Sequence, residues 1–220
     1  MIKFATAAAV AALTAATMAA TTPSATAAEA TPAVSHVHGE AGLRLTGYDA
    51  AVAEAHGYVI KTTADGMQYT VRKNATPAED VTAQAKAVAL WGKSVKPAPG
   101  VAAQPASHDE WNDVCGKAWL DGDAVGGRAI KVSSGFNLLP GQAAVFYYWH
   151  VHAVDGGGVS NHAWGPSGLW DRQEWHGTWA PGGLTMGSAY TRLDSDTSYA
   201  TLDDGSVCHP ATLTVYYTIY

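Results

Sequence analysis

The chain has 220 residues, of which 47% are hydrophobic and 15% are charged, and its formal net charge is −6. This composition is typical of a globular protein. The charge is uneven, because the residues from 105 onward carry 5 basic and 12 acidic side chains, whereas the first 104 carry 8 and 7. Nucleic acids and anionic membranes are bound through basic surfaces, so the acidic C-terminal part argues against both as partners.

Residues 1–28 have the pattern of a secretory signal peptide. Lys3 supplies a positive charge, residues 5–20 form an uncharged run of small side chains, and Ala25-Thr26-Ala27 matches the small-x-small cleavage rule. The alternative is a membrane anchor, but this Ala-rich run is shorter than the ~20 residues of a membrane span. The sequence therefore predicts a secreted, extracellular protein without a membrane span.

Composition divides the rest of the chain into four segments. The predicted segments are a disordered leader over 29–45, a small α+β unit over 46–93, a Pro/Ala-rich linker over 94–107 and a Trp-rich β domain over 108–220. The α+β unit is too short for a substantial core of its own. It is expected either to pack on the β domain or to act as a propeptide.

Local signals predict a helix–hairpin–helix order for the α+β unit. A first helix is expected to begin at Thr46, and Asp65-Gly66 predicts a β-hairpin turn. Thr76 and Glu79 form a capping box that predicts the start of a second helix.

The C-terminal segment has the pattern of an antiparallel β protein. Its strongest strand covers residues 143–154, where Val145, Tyr147, Trp149 and Val151 share one face and Phe146, Tyr148, His150 and His152 share the other. Several shorter runs are separated by turns rich in Gly, Pro and Asp. The predicted fold class is therefore mainly β, with a C-terminal β-sandwich or small barrel preceded by the helix–hairpin–helix unit.

Cys115 and Cys208 are the only cysteines, and six of the eight tryptophans lie between them. In an exported chain, such a pair predicts one disulfide, here between an early strand and a late strand of the β domain. A disulfide that closes a loop of this length is expected to stabilise the fold by about 4–5 kcal/mol. It also leaves no cysteine as a nucleophile.

Two histidines on one strand face suggest a metal site. His150 and His152 are about 7 Å apart at Cα, from the rise of a strand, so both can reach one ion. His162 is the expected third ligand, with Asp155 and His176 as further candidates, and zinc and copper are the ions that favour imidazole. The alternative interpretation is that these histidines are ordinary polar residues on the solvent side of an aromatic strand.

Paired acidic residues suggest calcium as another ion. Calcium takes six to eight oxygen ligands, which acidic loops supply, although Asp-rich turns are common in β proteins without any ion. The pairs in question are Asp121/Asp123, Asp194/Asp196 and Asp203/Asp204.

Four tryptophans lie close together between residues 164 and 179. Their spacings of 6, 5 and 4 do not fit one face of a strand, so some of the rings are expected to be buried and others exposed. An exposed indole stacks on sugar rings and on cations, whereas a buried one anchors a loop to the core. The predicted binding residues are Trp164, Trp170, Trp175 and Trp179.

The sequence favours binding over catalysis. It contains no Gly-x-Ser-x-Gly, His-Glu-x-x-His, Cys-x-x-Cys or phosphate-binding glycine loop. The predicted function is recognition of an extracellular glycan or protein surface by the Trp-rich β domain, without a cofactor. Two alternatives remain open, a metal-dependent extracellular enzyme built on the histidines and a secreted inhibitor or toxin with an N-terminal propeptide.

Overall fold

Two antiparallel sheets and two helices form the fold in this computed structural model, which describes residues 36–91 and 114–220. The predicted signal peptide over 1–28 and linker over 94–107 lie outside the described residues. Neither helix in the described part of the chain has the length and apolar character of a membrane span. The prediction of a mainly β protein is confirmed.

The large sheet contains ten of the twelve strands in the described part of the chain. These strands are β1 (His36–Tyr48), β4 (Gly116–Gly126), β5 (Ala129–Leu138), β6 (Ala144–Asp155), β7 (Gly158–Arg172), β8 (Glu174–Trp179), β9 (Gly187–Leu193), β10 (Tyr199–Leu202), β11 (Ser206–Pro210) and β12 (Leu213–Ile219). The remaining elements, in chain order, are α1 (Ala50–Ala55), β2 (Tyr58–Thr62), β3 (Gln68–Arg72) and α2 (Pro77–Trp91).

Strand β6 is the branch point of the large sheet. Along one edge it pairs with β7, and along the other it pairs first with β10 and then with β9. From β10 the sheet continues through β11, β1, β4 and β5 to β8, whereas β9 leads only to β12. The sheet therefore divides at β6 into two branches, one formed by β9 and β12 and the other by β10, β11, β1, β4, β5 and β8.

The two branches pack face to face, because β12 lies against β1 and β4. A methyl group placed on Gly39 would lie 3.3 Å from Val215 Cγ1, and one on Gly122 would lie 3.1 Å from Tyr217 Cε1. Apolar side chains from both branches fill the space between them. The largest fully buried side chains include Trp149, Phe136, Leu43, Leu120, Ile130, Leu193 and Leu202.

The prediction of a disordered leader is wrong for residues 36–45, which form most of β1 and pair with both β4 and β11. Leu43 is fully buried, and Val37, Ala41 and Leu45 pack against the core. The period-2 pattern is weak in the sequence because two of the inward positions are Gly39, which has no side chain, and Ala41, which has only a methyl group. Small residues are needed there because β12 packs so closely.

The first helix begins after Asp49 and not after Thr46, because β1 extends to Tyr48. The Asp49 carboxylate accepts hydrogen bonds from the N–H groups of Ala51 and Val52 at 2.9 and 3.1 Å, which makes it the N-cap.

The hairpin of β2 and β3 and the capping box of α2 are confirmed. The Thr76 N–H donates to Glu79 Oε2 at 2.7 Å, and the Glu79 N–H donates to Thr76 Oγ1 at 3.3 Å. This segment contacts the β10–β11 turn, since Thr70 Oγ1 donates to Asp204 Oδ2 at 3.0 Å. It belongs to one compact unit with the large sheet. A propeptide role for it stays a prediction.

The predicted disulfide between Cys115 and Cys208 is confirmed. Cys115 directly precedes β4 and Cys208 lies in β11, and both are buried. Because β1 pairs with β4 and with β11, the bond joins the two strands that flank it. The disulfide therefore links the two neighbours of β1 and holds this first strand between them.

Replacing both cysteines with alanine is expected to lower the free energy of unfolding by about 4–5 kcal/mol, because the unfolded chain regains the loop entropy that the bond removes. Urea unfolding of the double variant and the wild type measures the difference. The double variant is preferable to adding a reductant, since a buried disulfide is poorly accessible in the native protein. Equal midpoints and slopes would contradict a structural role for the bond.

Candidate functional site

His150 and His152 lie on the outer face of β6, as the alternation of the strand predicts. The residues between and before them, Tyr147, Trp149 and Val151, are buried in the core, whereas the two histidines are half-buried. Their ring centroids are 5.9 Å apart, with the ring planes at 61°. The two imidazoles are therefore neighbours on one surface.

A break in the strand pairing lies beside His150. The partner of β6 changes from β10 to β9 between Tyr148 and Val151, and the connection from β9 to β10 crosses this gap. Ser198 in that connection replaces the missing strand contacts, because its buried Oγ accepts from the His150 N–H at 2.9 Å and donates to the His150 carbonyl at 3.2 Å. The connection is thereby held against β6.

The same connection brings a carboxylate to the histidines. The Asp194 N–H donates to the His150 carbonyl at 3.0 Å, and Asp194 Oδ2 lies 3.6 Å from His150 Nδ1. One ligand atom from each of His150, His152 and Asp194 lies within 4.8 Å of the other two. We call these three residues the His2Asp cluster. It is the one such group of three or more His, Cys, Asp or Glu side chains within the described residues.

Hydrogen bonds orient the side chains of the His2Asp cluster. The Asp196 N–H donates to Asp194 Oδ1 at 3.0 Å, which leaves Oδ2 directed at His150. Thr197 Oγ1 lies 3.3 Å from His150 Nδ1. These contacts limit the rotation of the carboxylate and of one imidazole, as outer contacts do around metal ligands.

The charges around the cluster favour its ligand forms at neutral pH. Burial and the positive charge of Arg192 lower the pKa of His152, although Asp194 acts in the opposite direction. Burial by itself raises the pKa of Asp194, but the Asp196 N–H and the neighbouring imidazoles outweigh it and hold this pKa below its usual range. A neutral imidazole and an ionised carboxylate are the forms that bind metal ions.

His162 does not join His150 and His152, so the expected third ligand is wrong. In the β6–β7 pairing His162 lies opposite Val151, and residues opposite each other share a face of the sheet. Its ring therefore points to the core side, where it stacks on Trp179 at 5.4 Å and contacts Trp164 edge-on at 4.5 Å.

The two further candidate ligands also lie elsewhere. The Asp155 carboxylate accepts hydrogen bonds from the N–H groups of Gly157, Gly158 and Thr185, so it caps a turn. These bonds, led by the one from Thr185, lower the pKa of Asp155. His176 lies on β8, with its ring 6.5 Å from that of Trp119.

The acidic pairs do not bring three carboxylates together within the described residues, so calcium binding by them stays a prediction. Asp121 and Asp123 lie on β4 rather than in a loop, and their carboxylates hydrogen-bond to His38 and His36. The Asp204 carboxylate accepts from the Ser206 N–H at 2.9 Å, which is a turn contact. Of these acidic residues, Asp194 is the one that joins a cluster of possible metal ligands within the described residues. Its partners in that cluster are histidines and not further carboxylates.

Three of the four predicted binding tryptophans close the gap between β7 and β8. Trp164, Trp175 and Trp179 are half-buried and pack against the core. The Trp175 ring lies 4.4 Å from Tyr147 and 5.7 Å from Trp164. The Trp164 ring packs directly on Gly177. A methyl group at Gly177 would lie 2.6 Å from the indole, so this contact requires glycine.

Trp170 differs from the other three, because 92% of it is exposed. It lies in an irregular part of β7, between Gly168, which pairs with Phe146, and Arg172, which pairs with Ala144. An open groove of about 740 Å³ begins at the next residue of the chain. Its lining residues include Asn137, Gln142, Asp171, Arg172, Gln173 and Glu174.

No known family model matches the chain, and no curated protein matches it significantly. Within the described residues, the His2Asp cluster and the groove beside Trp170 are the features that bear on function.

Replacing Gly177 with alanine is expected to lower the free energy of unfolding by about 1–3 kcal/mol, because the added methyl group displaces the Trp164 ring from a packed position. Urea unfolding followed by tryptophan fluorescence measures both effects. Gly182→Ala is the matched control, since a methyl group at Gly182 meets nothing within 4 Å. If the two variants unfold alike, the indole does not pack on Gly177 as described.

Replacing Ser198 with alanine is expected to lower the free energy of unfolding by about 1–3 kcal/mol, because the His150 N–H loses its acceptor in a half-buried position. Chemical denaturation measures the change. Ser188→Ala serves as the control, since Ser188 is exposed on β9 and its change is expected to stay within about 0.5 kcal/mol. Equal effects of the two variants would argue against the bridging role of Ser198.

Proposed function

We propose that the protein is exported and acts by binding an extracellular glycan, with Trp170 and the adjoining groove as the contact surface. The observation that carries this proposal is the 92% exposure of Trp170 beside a groove lined mainly by polar side chains. The other three predicted tryptophans support this surface by holding β7 and β8 together and not by direct contact.

An indole exposed to water gains none of the free energy that burial of its apolar surface would supply, so the Trp170 ring is available for contact with a ligand. The face of an indole is electron-rich and attracts the C–H groups of a pyranose ring, which carry a partial positive charge. Leu169, the residue before Trp170, packs against the core and fixes this part of β7. Trp170 is therefore a projecting aromatic ring on an anchored strand.

The chemistry of the groove favours a sugar over an apolar ligand. Asn137 and Gln173 offer both donors and acceptors, which match the mixed character of hydroxyl groups. Arg172 supplies donors, whereas Asp171 and Glu174 supply acceptors. A protein surface is the second partner class that an exposed aromatic anchor with a polar rim fits.

Two features support export. Residues 1–28 have the signal-peptide pattern described above. The two cysteines form a disulfide, which persists in oxidising compartments such as the extracellular space.

Trp170→Ala is expected to weaken glycan binding by about tenfold or more, because loss of a central aromatic anchor costs about 1.4 kcal/mol or more, and 1.4 kcal/mol corresponds to a factor of about ten. The chain from residue 29 onward is screened on a glycan array, and the affinity for each hit is then measured by calorimetry. Asn137→Ala is expected to weaken binding to the same glycans by a smaller factor, because Asn137 is an exposed side chain that lines the groove.

Tyr216→Ala is the matched control for Trp170→Ala, because Tyr216 is an exposed aromatic residue on β12 and does not line the groove. It is expected to leave the affinity unchanged. Unchanged glycan affinity in Trp170→Ala would remove this residue from the site. Absence of any glycan hit, together with Trp170-dependent capture of an extracellular protein, would favour the protein-surface alternative.

A further inference from the structure

We propose that His150, His152 and Asp194 bind one divalent ion of the zinc and copper class on the outer face of β6. This inference is independent of the glycan proposal. It stands on the convergence of one ligand atom from each of the three residues within 4.8 Å of the other two.

The donor set selects the class of ion. Two imidazole nitrogens and one carboxylate oxygen suit zinc and copper, and zinc also occurs in other sites with two histidines and one carboxylate. Calcium requires six to eight oxygen ligands, and magnesium prefers oxygen ligands and retains its waters. Neither ion fits a cluster in which two of three donors are nitrogens.

The fold holds the ligands in place without any ion. The alternation of β6 puts both histidines on one face, and the break in strand pairing beside His150 admits the β9–β10 connection. The bonds of Ser198 and of the Asp194 N–H to the His150 backbone attach that connection to β6. A site organised in this way loses less conformational entropy when an ion binds.

The environment of the cluster leaves access for an ion. The side chains of His150 and Asp194 are 22% and 20% exposed, so the site opens to solvent at the surface of the sheet. Three protein ligands leave one position of a tetrahedral ion for water or a small ligand.

Arg192 places a positive charge beside the cluster. It lies directly opposite His152 in the β6–β9 pairing, so a positive charge stands next to the proposed ion site. The same charge opposes a bound cation. Removal of the Arg192 charge is therefore expected to strengthen metal binding, whereas loss of a ligand weakens it.

The test is calorimetric titration of Zn²⁺, and separately of Cu²⁺, into tag-free protein that has been treated with a chelator. The wild type is expected to bind one ion per chain. His152→Ala and Asp194→Asn are each expected to weaken binding by on the order of a hundredfold or more, since loss of an outer contact alone costs about 10–100-fold. Arg192→Gln is expected to tighten binding by about two- to fivefold at low ionic strength.

His176→Ala is the matched control, because His176 is an exposed histidine on β8 outside the cluster. Circular dichroism and thermal unfolding of each variant without metal show whether it is folded. Titration with Co²⁺ adds a spectroscopic reading, since the intensity of its visible absorption reports tetrahedral ligation.

Loss of binding in folded His152→Ala and Asp194→Asn, with normal binding in His176→Ala, supports the site. The proposal is overturned if the wild type binds none of the three ions. It is also overturned if the folded ligand variants bind as the wild type does, or if His176→Ala weakens binding as much as they do.

Discussion

The division of one edge of β6 between two partner strands is the constraint on which the rest of the structure depends. Because β10 and β9 take different parts of that edge, the sheet continues in two directions from one strand. The branches then face each other, with β12 against β1 and β4, and enclose the core. The interruption between the two partners also creates the place where Asp194 meets His150.

Close approach between strands accounts for several glycines in the sheet. Gly39 and Gly122 accommodate the side chains of Val215 and Tyr217, and Gly135 allows β8 to approach β5, since a methyl group there would lie 2.1 Å from the Trp175 carbonyl oxygen. Because these glycines contribute no side chains to the core, large aromatic rings on other strands supply much of its volume. Trp149 is fully buried in the core, where its Nε1 donates to Ser134 Oγ at 2.9 Å.

Histidines on the neighbouring strands β6 and β7 have different roles, because they lie on opposite faces of the sheet. His150 and His152 face outward on β6, whereas His162 on β7 faces inward and stacks with Trp164 and Trp179. The inward set joins β7 to β8 through side chains where the strands do not pair. The outward set meets solvent and the β9–β10 connection. Residue type alone does not separate these roles, because strand register decides which face each residue occupies.

Local patterns in the sequence determined the alternating faces of β6, the hairpin and capping box near the N-terminus, and the pairing of the only two cysteines. The first three depend on residues that are close in the chain, and two cysteines can form only one disulfide within the chain. The tertiary structure alone decided that residues 36–45 form a core strand, that Asp194 rather than His162 joins the two histidines, and that Trp170 is the exposed one of the four tryptophans between residues 164 and 179. The physical reason is that strand pairing brings together residues far apart in sequence, and its register assigns every side chain to the core or to solvent.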